Sequence, residues 1–473
     1  MVDEEKRLSQ LEAEADREED EDNDLVFGLS DRFIQKVVLA LREDDRQTVL
    51  EELDELSAAD TAELISKIND EDRSTLLHNF VEKMDPYVFS ELSWELREII
   101  LPELPSWKIA SIISELESDD ALDIIQSLSD EDFRHDIIRH LSAKMRLALQ
   151  EGLSFPEDSA GRLMQREFVA IPQFWTVGKT IDYLRAAADE LPEDFFDIFI
   201  IDPAYRITGE IPLNRLVRAK RSEKLETLKL EDIHPIPATM DQEAVAQLFR
   251  RENLMSAPVV DEEDRLIGVI TVDDVVDVID EEAQEDMLKL VGVGEADSYK
   301  AILSTSFLRS RWLAVNLVTA FIAAAIVSSF GATIEKVVAL AALMPIVAGM
   351  GGNAGTQALA VAVRAIAVRE LSGANAMRTV AKECAVGFVN GCIFGTLVGV
   401  LAGLWFQNVI LGLVIGMALI INLLVAGTFG AAIPVILNHY KQDPAISSSI
   451  FLTTATDCIG FFAFLGLATI FLT

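Results

Sequence analysis

Between residues 25 and 152 the apolar positions recur every three and four residues. LVFGLSDRFIQKVVLAL, ELSAADTAELISKI, STLLHNFVEKM, KIASIISELE, ALDIIQSL and FRHDIIRHL each gather their Leu, Ile, Val and Phe on one side of a 3.6-residue helix. The spacing predicts a run of short amphipathic helices and no strands. A faint repeat runs through it: ELSAADTAELISKINDEDRSTLLHNF resembles ELESDDALDIIQSLSDEDFRHDIIRH about sixty positions later. Each half pairs two helices around a DED joint, where an acidic N-cap is favourable. Repeated helix pairs read as a small solenoid.

From about residue 160 the period changes. FFDIFIID, RITGEIPL and the helix-like NRLVRA are matched by SAPVVD, RLIGVIT and VDDVVDVID, with Asp202 to Asp261 and Gly209 to Gly268 both 59 residues apart. Each copy follows its own helical stretch, VGKTIDYLRAAADE and QEAVAQLFRREN. This tandem strand–turn–strand–helix module resembles a pair of CBS domains. Such pairs bind adenine nucleotides such as ATP, or act as levers without a ligand. The second copy runs on into VDDVVDVIDEEAQEDMLKLVGV, a predicted helix on which several of Glu281, Glu282, Glu285 and Asp286 share a face. Like charges at that spacing either face solvent or hold a cation between them.

Beyond Arg311 the polar positions disappear. Residues 312–334, 337–363 and 384–440 contain no Asp, Glu, Lys or Arg, and 445–473 contain only Asp457. A membrane crossing takes roughly 20 apolar residues. The stretch 384–440 holds two, with a break near Gln407 and Asn408, which gives five spans. Arg309, Arg311, Arg364, Arg369, Arg378, Lys382 and Lys441 all fall on one side if the N-terminus is cytosolic, as the positive-inside rule requires of a multi-pass protein of the cytoplasmic membrane. The spans are rich in small residues, which suit close helix packing. MPIVAGMGGNAGTQ adds Pro345 and a Gly-Gly-Asn that loosen the backbone. That is tolerated at membrane depth only against protein or water, so a polar path is expected along Gly349, Gly351, Gly352, Asn353, Thr356 and Gln357.

Charge sharpens the division. Of 40 Lys/Arg only six lie beyond Arg311, and of 78 Asp/Glu only five, leaving 34 basic and 73 acidic groups and a formal charge of −39 in the first 311 residues. An excess of that sign excludes a nucleic-acid partner, since phosphate is bound by clustered Lys and Arg. It suits cations, or solubility alone. The three cysteines lie in the apolar block and form no disulfide framework. Residues 1–24 have no apolar core and read as a solvated acidic tail. No His cluster or phosphate-binding glycine loop points to an enzyme.

Asp457 is the one acid inside a span, and such a residue marks a pathway or a partner. No Lys or Arg lies deep enough in the block to pair with it, while Ser449 and Thr453 stand two turns and one turn before it on the same face. Carboxylate, hydroxyl and carbonyl oxygens suit magnesium, calcium or manganese. One carboxylate is too little charge for a dication, and two chains about a two-fold axis would supply two. A homodimer, embedded in lipid, with the ion path on its axis is therefore expected.

The order of acidic helical domain, CBS pair, acidic helix and five-span block resembles the MgtE family of magnesium channels. FPEDSAGRLM (155–164), GMGGNAGTQ (349–357) and DPAISSSIFLTTATD (443–457) carry the likeness from about residue 30 to the end. It implies an all-α superhelical N-domain (25–156), a tandem α/β CBS pair (157–222 and 223–280), a connecting plug helix (281–308) and a five-helix pore domain (309–473). It also implies that Asp457 holds hydrated Mg2+, with the Thr453 carbonyl and the side chain at 449 nearby and Gly349 and Asn353 lining the cytosolic part of the pore. At 449 this chain has serine where the family member compared has asparagine. Magnesium among Asp273, Glu281, Glu282, Glu285 and Asp286 would hold the plug shut. The competing expectations are another divalent ion such as cobalt, and a membrane-anchored nucleotide sensor.

Overall fold

The computed structural model describes residues 28–290 and 302–472, apart from 189–190, 193–194, 231, 368–369, 372–374, 441 and 443. The acidic tail, Arg369, Lys441 and the end of the connecting segment lie outside the described residues. Two compact units divide the chain, one ending at Asp280 and the other starting at Glu281.

In the first unit, no strand occurs among the described residues before Ala170. The repeat is two helix pairs, Ala58–Lys67 with Asp70–Phe80 and Ser118–Gln126 with Glu131–His140. At the second joint Asp130 accepts from the amides of Asp132 and Phe133, whereas at the first the cap is Asn69, with Asp70, Glu71 and Asp72 filling the first turn. Acids there face the positive end of the helix dipole. The buried Arg73 donates to the carbonyls of Ile65 and Ile68, covering the end of the preceding helix. Leu64, Ile65, Leu76, Leu77, Ile109 and Ile125 are fully buried in one core, each contributing roughly 1.5–3 kcal/mol by leaving water.

The paired modules follow. β1 (Ala170–Pro172), β2 (Asp197–Ile201) and β3 (Ile207–Pro212) form one sheet; β4 (Ile236–Pro237), β5 (Ser256–Val260) and β6 (Leu266–Thr271) form the other. In both, the first strand is parallel to the second and the second antiparallel to the third, with a bulge at Ile200/Ile201 and at Val259/Val260. The 59-residue repeat has a physical basis. The Asp202 and Asp261 carboxylates each accept two backbone amides in the turn. A Cβ on Gly209 or Gly268 would lie 2.9 Å from the carbonyl of Leu230 or Gln165. Residues 159–165, expected at the head of the first module, instead close the second: Ala160 and Gly161 donate to Met240 and Ala238, and Ala160 and Met164 enter its core. The expected boundary at 280/281 falls inside one continuous helix, Val272–Leu290.

Five helices of the second unit are long and apolar enough to cross a membrane: Ile302–Ser329, Ala339–Ala367, Ala376–Trp405, Val409–His439 and Pro444–Leu472. The first ends at Ser329 and not at 334, because a separate short helix, Gly331–Lys336, follows. The break at 407–408 is present, with Gln407 left-handed and Asn408 capping the next helix through the amides of Ile410 and Leu411. The expected loosening at Pro345 is absent: Ala339–Ala367 is one helix through the Gly-Gly-Asn. Proline removes a single hydrogen bond, and lipid favours keeping the rest within the segment.

The fourth span is the centre of this unit, with 56% of its apolar window buried against 6% in the first span. The third span lies along it on Gly387, Gly391, Gly395 and Gly399, each close to backbone of the fourth. A Cβ on Gly391 would stand 2.9 Å from Ile420 Cα, whereas one on Gly466 would meet nothing within 4 Å. Gly391→Ala therefore forces the two helices apart and lowers stability by about 1–3 kcal/mol, while Gly466→Ala gains up to about 1 kcal/mol of helix propensity. Thermal unfolding in detergent checks both, and equal melting temperatures would contradict the packing.

Candidate ion-conducting and ion-sensing sites

Asp457 is the fourteenth of the 29 residues of the fifth span, at its middle. Its side chain is half-buried, and among the described residues no protein cation or hydrogen-bond donor reaches it. Ser449, Thr453 and Asp457 form a stripe at i, i+4 and i+8, with Thr453 exposed and Ser449 half-buried. The threonine protons are turned inwards. Thr453 Oγ1 donates to the Ser449 carbonyl at 2.9 Å, Thr454 to Ile450 at 2.7 Å, and Thr456 to both Leu452 and Thr453 at 3.1 Å. What these hydroxyls offer outwards is lone pairs, so carboxylate and hydroxyls together make a strip of acceptors. The Thr453 carbonyl, in turn, already accepts the Thr456 hydroxyl.

On the second span Gly349, Asn353 and Thr356 are exposed at i, i+4 and i+7, and Gln357 beside them is exposed too. A Cβ added to Gly349 or Gly352 would meet nothing within 4 Å. The helix thus presents one open face of small and polar residues, while Val347, Gly351, Gly355, Ala358 and Leu359 are buried on the other. Gly351, expected on the polar path, is on the packed side against Asn422 of the fourth span. Sequence reasoning missed Asn422; a lone amide in IINLLVAG was the available signal.

Outside the membrane the first unit brings acids together from distant parts of the chain. Asp119 and Asp120, at the start of the helix Ser118–Gln126, lie near enough to Asp274 of the helix Val272–Leu290 for their charges to interact, while Asp277, one turn on, stands near Glu91 and Asp123. Burial, with Asp274 and Asp120 close by, holds the Asp119 carboxyl well above the usual carboxylate range. Burial and the repulsion of Asp123 push Asp120 up to about 6, against hydrogen bonding from Ser90. Asp274 is raised by burial, in spite of the 2.7 Å hydrogen bond from Thr271. Asp277 is raised by burial and by Glu91 and Asp273. The first of these helices is tied at its start to residues 166 and 167 by Ser118, whose hydroxyl donates to Glu167 at 2.7 Å and accepts the Arg166 amide.

Of the expected regulatory residues, only Asp273 faces this cluster. Glu285 is in an ion pair with Lys289 one turn on, and Glu281, Glu282 and Asp286 lie further along the same helix. Asp119, Asp120, Asp274 and Asp277 were not singled out in sequence, although ESDDA and TVDDVVD both start helices with paired acids. Among the described residues no three His, Cys, Asp or Glu converge as a metal cage.

Known proteins match along nearly the whole chain. A family model described as a divalent cation transporter, MgtE, covers residues 344–467, the MgtE intracellular N domain covers 56–158, and a CBS domain covers 227–281. The magnesium transporter MgtE of Bacillus subtilis is 30% identical over 444 residues, 93% of this chain and 98% of that one. Its namesake from Thermus thermophilus is 32% identical over 440 residues, 92% of this chain and 97% of that one. The crystal structure of the cytosolic domain of the Mg2+ channel MgtE in complex with ATP matches with 31% identity and a TM-score of 0.49, covering 52% of this chain and 99% of that one. With an intramembrane acid, an open polar face on the second span and relatives aligned nearly end to end, the chain belongs to the MgtE family of divalent cation transporters.

Proposed function

We infer that the chain is a magnesium channel of the cytoplasmic membrane, with its N-terminus in the cytosol, closed by magnesium bound on the cytosolic side. Asp457 carries this reading. An ionised carboxylate at mid-membrane with no partner among the described residues is stabilised by a cation beside it, and the acceptor strip of Ser449 and Thr453 offers a hydrated dication hydrogen-bond acceptors. Two such strips, from two copies related by a two-fold axis, would match the charge of one ion. The open Gly349–Asn353 face leaves width for its water. Relatives similar over nearly their full length are named as magnesium transporters. ATP at the CBS pair is a secondary reading, resting on the module pair alone.

The acid cluster supplies the gate. Its carboxylates repel one another when ionised, so they accept either protons or a bridging cation, and a cation that bridges Asp119 and Asp120 to Asp274 fixes the helical domain against the second module. Magnesium closes the channel to the extent that it binds this docked arrangement better than the released one. Asp273 extends the same site, and Glu281, Glu282, Glu285 and Asp286 continue the negative field along the helix.

Magnesium uptake by proteoliposomes tests the path: Asp457→Ala removes the carboxylate that would attract and hold the hydrated ion, and flux should fall about 100-fold or more. Undiminished flux would remove Asp457 from the pore. For the gate, the linkage has a definite sign. The folded state keeps protons on Asp120 and its neighbours that the unfolded state has lost, so stability in chelator should decline as pH rises from about 4 through about 6 and beyond. Millimolar magnesium takes the place of those protons and should raise the melting temperature more at pH 8 than at pH 5, by about 2.7 kcal/mol of stability at a hundredfold excess over its dissociation constant. Asp120→Asn with Asp274→Asn should flatten both responses; a double variant that still responds like wild type would exclude the cluster as the sensor.

A further inference from the structure

The fourth span carries one polar side chain at its most crowded point. Asn422 is fully buried, and its Nδ2 donates to the carbonyl of Val347 on the second span at 2.8 Å. Gly351 of the second span and Gly460 of the fifth press on it from two directions: a Cβ on Gly460 would lie 2.8 Å from the Asn422 amide, and one on Gly351 would collide with it. Its Oδ1 is buried without a hydrogen-bond partner. Gly351 lies between Gly349 and Asn353, and Gly460 lies three residues after Asp457. One amide is thus wedged between the two helices whose outward faces carry the open groove and the acid.

Stability does not explain this residue. A buried acceptor left unpaired is unfavourable, and an apolar side chain of the same outline removes that penalty along with the single hydrogen bond. What an apolar side chain cannot do is fix the second span's height and rotation through a directional bond to one named carbonyl. Two glycines, each without a side chain where the amide touches, let both helices seat on it at a single register.

We propose that Asn422 is a positioning residue for ion selection: it sets where the Gly349–Asn353 face stands relative to Asp457, and so the width available to the hydrated ion. The proposal rests on the pore reading above. Its test compares Asn422→Leu, which keeps the outline and removes the donor, with Asn422→Ala and with Asp457→Ala. All are full-length chains in proteoliposomes, assayed for magnesium and calcium flux and for melting temperature. Asn422→Leu should melt at or above the wild-type temperature while magnesium flux drops roughly 10- to 100-fold and the preference for magnesium over calcium narrows. Asn422→Ala should show the same narrowing of preference.

Wild-type flux and preference in a well-folded leucine variant would overturn the proposal. So would residual flux of unchanged preference that merely follows the amount of folded protein, or failure of both variants to fold, since each assigns Asn422 to folding alone. If Asp457→Ala keeps its flux, the pore reading fails instead, whatever Asn422 does.

Discussion

A negative charge in the middle of a membrane has to be matched, and this chain does not match Asp457 from within. The apolar block around it brings neither a basic residue nor a hydrogen-bond donor to the carboxylate among the described residues. Everything near it is arranged as acceptor: threonine hydroxyls donate back to their own helix and leave lone pairs outwards. Under the proposed function the missing positive charge comes from outside the protein. A dication satisfies the site while it is there and leaves it unsatisfied when it goes, which favours passage over permanent residence.

The first unit repeats the same physics at lower stakes. There too carboxylates are set close together and partly shielded from water, with burial the leading cause of their raised proton affinity. In the second unit one acid stands inside an apolar span; in the first, Asp119 and Asp120 of one helix stand near Asp274 of another. Under the proposed function the first arrangement would select by charge and width, and the second would report concentration. Arg97, buried in an ion pair with Asp123, also acts on Asp120, where it favours the charged form and offsets part of the repulsion.

The membrane unit depends on closeness more than on apolar attraction, since lipid is as apolar as any leucine. Glycine rows let the third span lie against the fourth, and Gly351, Gly355 and Gly460 do the same for the second and fifth. The glycines of GMGGNAGT therefore divide by function. Gly349 and Gly352 leave room on the open side, and Gly351 and Gly355 make room on the packed side. Helical geometry assigns them, because residues two apart face opposite ways.

Much of the fold was legible in the sequence, for reasons of period and charge. Three-four spacing marks the solenoid helices, the 59-residue repeat marks two modules with matching turns and close strand approaches, and charge-free length marks five spans. Asp457 stood out because an ionisable residue inside a span is costly and marks a pathway or a partner. Local pattern could not settle what depends on distant partners. The acid cluster joins residues 119–120 to 274 across more than 150 positions, and the segment 159–165 crosses to the second module to close its core. Pro345 read as a break because the local rule is a lost hydrogen bond, but the helix runs on since the membrane penalises every further bond given up. Asn422 was one amide among apolar residues until the folded helices put a glycine on two sides of it. Sequence alone determined which segments are helical, which are long and apolar enough to span lipid and where charge is out of place; only tertiary structure decided which charges meet and which glycines face open space, because contact between segments is a property of packing and not of period.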